Sequence, residues 1–503
     1  MNTNHSKLHL KYLGIDTYKE AVIYMRKDCH ICRSEGFEAE TRVEISLNSR
    51  SLIATLNIIE TDLLKPNEAS LSNYAWEMLS AKNGDEIKVS HPKPINSLSY
   101  IRSKLYGNEL NENEINFIVD DIIRGQLSDI HIAMFLSGSV GDHLNKNEVF
   151  HLTRAMIKSG QQLKWPSEVI VDKHCVGGLP GNRTTLIVVP IVAAFGLMMP
   201  KTSSRSITSP AGTADTMEVF APVNLDAKTM RKVVERENGC IVWGGSVTLS
   251  PADDLLIRIE RAMDLDSEGQ MVASILSKKI AAGSNHLIID MPIGPTAKVR
   301  SLSHATAIKN YLENIAEQFS IKTHVIFTDG TQPVGRGIGP ALEAKDVLAT
   351  LGGDPSAPQD LRDRALTLAG HVLEFSPNVT AGSGKKLAES ILTSGKALSK
   401  FQAICNAQGG MRDIPSAPYT KAIVSKKKGY VIKIDNRLLA RLAKLAGAPK
   451  AKSAGIELLT PLNTAVEIHQ PLFILHAETE GELQYALSFY EQAENIITIE
   501  ENA

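Results

Sequence analysis

Two stretches of this sequence hold residue types able to do chemistry. The first is Asp172-Lys173-His174-Cys175-Val176-Gly177-Gly178-Leu179-Pro180-Gly181-Asn182-Arg183-Thr184-Thr185. The second is Lys201-Thr202-Ser203-Ser204-Arg205-Ser206-Ile207-Thr208-Ser209-Pro210-Ala211-Gly212-Thr213-Ala214-Asp215. Each follows a short apolar run and precedes a helix-like segment. Amides freed by glycine, hydroxyl donors and a helix N-terminus are what a phosphate dianion needs, and Lys173 and Arg205 add positive charge. A Gly-Gly pair after a strand is by itself more often a tight turn. Lys173 and the hydroxyl-rich second loop move the reading toward phosphate. The first loop is not a Walker A motif, because Gly181 is followed by Asn182-Arg183-Thr184. Nor do its glycines have the G-x-G-x-x-G spacing of a dinucleotide fingerprint.

These loops need strands and helices to present them. Glu168 to Asp172 reads as a buried strand, Thr184 to Gly196 as a buried helix and Leu197 to Pro200 as another short strand. Strand, loop and helix repeated in this way is the doubly wound parallel pattern, whose ligands sit at the carboxyl ends of the strands. Before it, Ile115, Ile118, Val119, Ile122 and Ile123 recur at helical spacing behind Asn111 and Glu114, a capping-box pair, and Ser128 can cap a second helix. The helical pattern returns between Pro251 and Gly283. The expected fold class is therefore α/β: a helical lobe and a larger parallel or mixed-sheet α/β lobe with a cleft between them. A small β-rich N-terminal domain and a small α+β C-terminal domain complete it. The boundaries expected are 1–95 for the N-terminal domain and 98–165 for the helical lobe, completed by 252–283. Residues 166–251 and 284–408 form the phosphate-binding domain and 409–503 the last one.

Composition bounds the possibilities. The 503 residues, 43% hydrophobic, suffice for several cores, and 54 basic against 56 acidic residues leave a net charge of −2. Neither that balance nor 5% aromatics fits a nucleic-acid-binding surface. The longest apolar run, Leu186 to Met199, is broken by Pro190 and Gly196 and too short to span a bilayer. No membrane association and a cytoplasmic location are expected. Five scattered cysteines do not make a disulfide framework. Cys29-His30-Ile31-Cys32 alone supplies too few soft ligands for zinc, so it reads as two reduced thiols in a strand or turn. Gly335-Arg336-Gly337-Ile338-Gly339-Pro340 reads as a surface loop at least as well as a further phosphate cradle, and Lys426-Lys427-Lys428 as a solvated turn. Asp266, just before a helix, is by default a cap. In a site beside an apolar wall its pKa would rise enough for general acid catalysis.

The second stretch, with Asp172-Lys173-His174 and Gly177-Gly178, resembles the signature of the thymidine and pyrimidine-nucleoside phosphorylase family, and Ala273-Ser274-Ile275-Leu276-Ser277-Lys278-Lys279 is similar to that family's helix motif. The similarity spans about residues 98 to 490. It is closer to the branch that includes the archaeal AMP phosphorylases, which carries an extra N-terminal domain and reads S-S-R-x-I-T-S-P-A-G-T-A-D here. The resemblance implies phosphate and ligand contacts at Gly178, Ser204, Arg205, Ser206, Ile207, Thr208, Ser209 and Thr213, beside Lys173. It further implies a proton donor at Asp266 and substrate contacts at Ser274 and Lys298. It implies no metal and no organic cofactor, and it implies a homodimer or larger homo-oligomer. Where pyrimidine phosphorylases hold a base-binding arginine, this chain has Ile259 between Arg258 and Arg261.

The activity implied is phosphorolysis. Phosphate attacks the anomeric carbon of a nucleoside, the base leaves and a pentose 1-phosphate forms, as in thymidine + phosphate = thymine + 2-deoxyribose 1-phosphate. The alternative is AMP phosphorylase chemistry, in which a nucleoside 5′-monophosphate and phosphate give the base and ribose 1,5-bisphosphate. A phosphoribosyltransferase would call for Mg²⁺ and an acidic pair at the glycine loop, which Asp172 alone does not provide. A non-catalytic nucleotide-binding protein is the remaining rival.

Overall fold

The computed structural model describes residues 7–206, 209–265, 267–493 and 495–501. The chain divides into two compact units, residues 1–155 with 252–267 and residues 156–251 with 268–503.

The first unit begins with six strands: β1 (Lys7–Leu10), β2 (Val22–Arg26), β3 (Arg42–Leu47), β4 (Arg50–Ile59), β5 (Glu68–Leu71) and β6 (Glu86–Ser90). They close into a barrel in the order β1-β5-β2-β4-β3-β6, which leaves no unpaired edge. Alternation points Val43, Ile45 and Leu47 inward, where they meet Leu8, Leu10, Ile23 and Met25. Cys29 and Cys32 lie in the same core, and the Cys29 sulfur accepts the Cys32 amide at 3.2 Å as the cap of helix His30–Glu35. The thiols therefore start a short helix, because the sulfur satisfies an amide that the first helical turn leaves free. After the barrel come helices Ser97–Leu105, Glu112–Ile123 and Asp129–Ser137. Asn111 and Glu114 make the reciprocal capping box at 3.1 and 2.9 Å, and Ser128 caps the next helix.

In the second unit, β7 (Val171–Cys175), β8 (Met199–Ser203), β9 (Gly239–Trp243), β10 (His286–Ile293) and β11 (Lys322–Asp329) are all parallel. One sheet runs β11-β10-β7 and the other β8-β9, and a parallel bridge from Ile170 to Met198 joins them. The chain thus leaves β7 toward β8 on one side and later returns to β10 on the other. The carboxyl end of β7 is a topological switch point, the place where open α/β sheets hold ligands. Helix Thr185–Phe195, buried along almost its whole length, covers the sheet, and Gly196 ends it in the left-handed conformation.

Three boundaries differ from the reading of the sequence, one of them the strand expected at 197–200, which runs from Met199 to Ser203. The strand expected at 168–172 runs instead from Val171 to Cys175, because Lys173, His174 and Cys175 pair in register with Ile288, Ile289 and Asp290. The helical run expected at 252–283 divides: residues 252–267 belong to the first unit and helix Glu268–Ala281 to the second. An ion pair from Lys279 to Asp172, 2.7 Å, anchors that helix there.

Beyond helix Lys396–Ala407, Tyr419–Val424, Gly455–Leu458 and Pro471–Ala477 form a sheet with the short strand Gly337–Ile338. The glycine-rich segment at 335–340 is therefore part of that sheet. The amides of Arg336 and Gly337 are both given to the Asp346 carboxylate at 2.7 Å and are not open to a phosphate. Among the described residues no helix is long and apolar enough to cross a membrane.

Candidate active site

The carboxyl ends of β7, β8 and β10 carry the loops singled out by their composition. Beyond β7, Gly177 and Gly178 have φ of +100° and +81°, a region that side chains rarely enter. A Cβ on Gly178 would stand 2.6 Å from the amide nitrogen of Lys298. Glycine is what allows the loop after β10 to approach, so Gly178 and Lys298 are brought together.

Beneath these loops lies a buried charge cluster. Asp172 is fully buried; its two oxygens meet the ammonium groups of Lys201 at 3.0 Å and Lys279 at 2.7 Å. Burial works to raise this carboxyl, and the two lysines overcome it and hold it below the usual range. Lys201 and Lys279 also donate to the carbonyls of Lys173 and Thr202 at 2.5 and 3.3 Å, which fastens β7, β8 and helix Glu268–Ala281 to one another. Burial, aided by the charges of Lys279, Lys201, Lys278 and Lys173, depresses His174 well below its ordinary pKa. Its imidazole stays neutral at neutral pH and can give one hydrogen bond.

Lys173 itself is 1% exposed; its ammonium donates to the Thr184 hydroxyl at 2.7 Å and lies 3.7 Å from Asp290. Its charge works from under the glycine loop. Asp290 in turn accepts from Asn182 at 3.0 Å and Thr328 at 2.6 Å.

The second loop takes its shape from Asp215, in the first turn of helix Thr213–Phe220. One carboxylate oxygen accepts the amides of Ser206 at 2.7 Å and Gly212 at 2.9 Å, and the other meets Arg205 at 3.2 Å. The Ser206 hydroxyl donates to the Ser209 carbonyl, and the Ser209 hydroxyl to that of Ala211 at 2.8 Å. A Cβ on Gly212 would stand 2.6 Å from the Ser204 carbonyl oxygen and the Ser206 nitrogen. Thr213 accepts from Arg183 at 3.2 Å. The arrangement is a tight turn whose residues 204 to 206 fold back on the start of helix Thr213–Phe220 and are held there by Asp215.

Arg205, expected on the phosphate, is directed elsewhere. Its guanidinium is bound by Glu218 at 2.8 and 2.7 Å, by Asp215 and by Asn224, and it stacks 5.1 Å over Trp243. Hydrogen bonds from Arg205 pull Glu218 down to about 2, with Lys452 adding to the effect. The side chain therefore braces the loop, and its charge is already compensated. Ser274 and Lys278 stand one helical turn apart on the half-exposed side of helix Glu268–Ala281, while Ile275, Leu276 and Lys279 are buried. Ile207, Thr208 and Asp266 lie outside the described residues.

Several organising residues escaped the reading of the sequence: Asp215, Lys201, Lys279, Arg183 and Glu343. For Asp215 a signal existed, since it stands three residues after Gly212 at capping-box spacing. For the others the partners are too distant in sequence to pair by inspection.

Residues 98–160 match the helical bundle domain of a glycosyl transferase family and residues 167–398 its a/b domain. A protein of Legionella pneumophila named "Putative thymidine phosphorylase" is 61% identical over 495 residues, covering 98% of this chain and 96% of its own. One of the same name from a Polaromonas species is 55% identical over 496 residues, covering 98% and 97%. Among solved structures, anthranilate phosphoribosyltransferase from Saccharomyces cerevisiae superposes with a TM-score of 0.50 at 14% identity, over 63% of this chain and 98% of its own. At that identity the likeness is one of fold.

Proposed function

The chain belongs to the glycosyl transferase family composed of that helical bundle and that α/β domain, and is a pentosyl-transferring enzyme; on this footing we propose that it uses inorganic phosphate to cleave the N-glycosidic bond of a nucleoside. The observation that carries the reading is the pair of shaped loops at the carboxyl ends of β7 and β8, set over a cluster of buried lysines. Phosphate held by the glycine loop, Ser204, Ser206, Ser209 and Thr213 attacks the anomeric carbon. A carbon–oxygen bond forms, the carbon–nitrogen bond breaks and its electron pair leaves with the base. Holding both reactants converts a bimolecular encounter into a positioned attack. Lys298 and Ser274 serve as substrate contacts. Lys173 and the lysines around His174 supply the positive potential that keeps the anion in place.

Asp266 is assigned as the donor of the proton that the departing base requires. Asp266→Asn keeps a hydrogen-bonding group and loses the proton, so turnover is expected to fall by about 10² to 10⁴ with little change in nucleoside binding. Steady-state kinetics of the variant measure this; near-normal turnover would return Asp266 to the role of a cap.

The name carried by the relatives supports thymidine as the nucleoside, giving thymine and 2-deoxyribose 1-phosphate. The second reading is a nucleoside 5′-monophosphate such as AMP, giving the base and ribose 1,5-bisphosphate, and it is kept because one observation counts against a base-binding arginine. Ile259 is 5% exposed, and the guanidinium of neighbouring Arg258 is already bound in two places to Asp129, at 2.9 and 2.5 Å. Incubation with isotopically labelled inorganic phosphate and, separately, thymidine, uridine, AMP and CMP distinguishes the two. Label appearing in a pentose 1-phosphate from thymidine supports the first reading. Label in a pentose bisphosphate from AMP supports the second, and label in no sugar product would overturn both.

A further inference from the structure

We infer that Arg183 is the positioning residue that clamps the second anion loop to the first, with Glu343 as the counter-ion that aims it. The inference rests on the loops being the phosphate site. Arg183 sits between the glycine loop and helix Thr185–Phe195, and its amide donates to the Gly181 carbonyl at 2.7 Å. Its side chain crosses to the other loop. One terminal nitrogen donates to the Ala211 carbonyl at 2.9 Å and the other to the Thr213 hydroxyl at 3.2 Å, so the guanidinium holds both residues that flank Gly212. Its Nε lies 2.6 Å from Glu343, on helix Pro340–Gly352, an ion-pair contact without the alignment of a hydrogen bond.

Glu343 is equally committed. It is 1% exposed and also accepts from the Thr216 hydroxyl at 2.8 Å, one turn along the helix that the second loop enters. Three segments distant in sequence thus meet at one planar fork: the first loop through Arg183 itself, the second through Ala211 and Thr213, and helix Pro340–Gly352 through Glu343, which also takes the Thr216 hydroxyl. A guanidinium presents donors on all its sides at once, which a lysine ammonium on a flexible stem does not reproduce. Arg183 is 7% exposed, so its charge serves the loops and does not face bulk solvent. Gly212, held on both flanks, is also the residue whose amide Asp215 binds, so a shift here moves Ser204 and Ser206 with it.

Arg183→Lys tests this, because it keeps a cation beside Glu343 and removes the bridge to Ala211 and Thr213. The Michaelis constant for phosphate is expected to rise by about tenfold or more while the maximal rate at saturating phosphate changes less, the pattern of a lost ground-state positioning contact. Glu343→Gln, which keeps the bond from Thr216, is expected to shift the phosphate constant in the same direction. Guanidinium ion added to Arg183→Ala is expected to restore part of the phosphate affinity. Phe473→Leu, in the core of the C-terminal domain, serves as a control that lowers stability without moving the phosphate constant. An active wild type together with an unchanged phosphate constant in both Arg183→Lys and Glu343→Gln would overturn the clamp alone. A wild type whose nucleoside cleavage is independent of phosphate would overturn the functional reading and the clamp with it.

Discussion

Replacing Asp172 by asparagine is expected to cost about 3–5 kcal/mol of folding stability, the range for removing one partner of a buried ion pair. The reason lies in the company Asp172 keeps. It is fully buried, and both Lys201 and Lys279 are nearly so, at 4% exposure each. Asparagine preserves the shape and leaves two ammonium groups in a poorly solvated interior with no negative charge between them. Burial already pulls Lys279 down to about 7 even with Asp172 beside it. Without the carboxylate it would lose its proton more readily still, and the positive potential around His174 would fall. Urea unfolding measures the stability change through the midpoint at constant slope. A loss below about 1 kcal/mol, the scale of an exposed pair, would mean that the lysines find compensation elsewhere.

Asp215→Ala is expected to lower kcat/KM by about 10²-fold or more, since displacement of a positioning group by about an ångström is enough for such a loss. The carboxylate accepts two loop amides and one arginine nitrogen, and each charge-assisted bond is worth about 1.5–3 kcal/mol. Asp215→Asn offers one acceptor oxygen where two are used, so it should fall between wild type and alanine. The measurement is initial rate as a function of phosphate concentration, with the unfolding midpoint determined in parallel. Activity within about threefold of wild type in the alanine variant would show that the loop keeps its shape without this residue.

These effects also mark where a reading of the sequence reached and where it stopped. The Asn111–Glu114 capping box and helix Thr185–Phe195 were legible because their determinants are local: a cap three residues from its partner, and an almost wholly apolar run closed by Gly196. The two loops were legible as loops from residue type, since consecutive glycines and a dense set of hydroxyls seldom continue a strand or a helix. Strand β7 was misplaced because Asp172, Lys173 and His174 look like loop residues. Asp172 and Lys173 are buried only because Lys201, Lys279 and Asp290 arrive from other strands and helices to compensate them. Arg205 shows the same limit. Its charge invited a phosphate, but Glu218, Asn224 and Trp243 decide where a long side chain points. Arg183 and Glu343 gave no local signal, because each looks like an ordinary charged residue until the fold puts them 2.6 Å apart.

The anion that the two loops are proposed to hold acts as a reactant. Base release by the purified protein should be measured with thymidine and with AMP, in phosphate-containing and phosphate-free buffer, while the sugar product is followed alongside. Release that requires phosphate and yields one phosphorylated sugar per base is the predicted result; equal release without phosphate, with free sugar or unaltered sugar phosphate as the product, would contradict it.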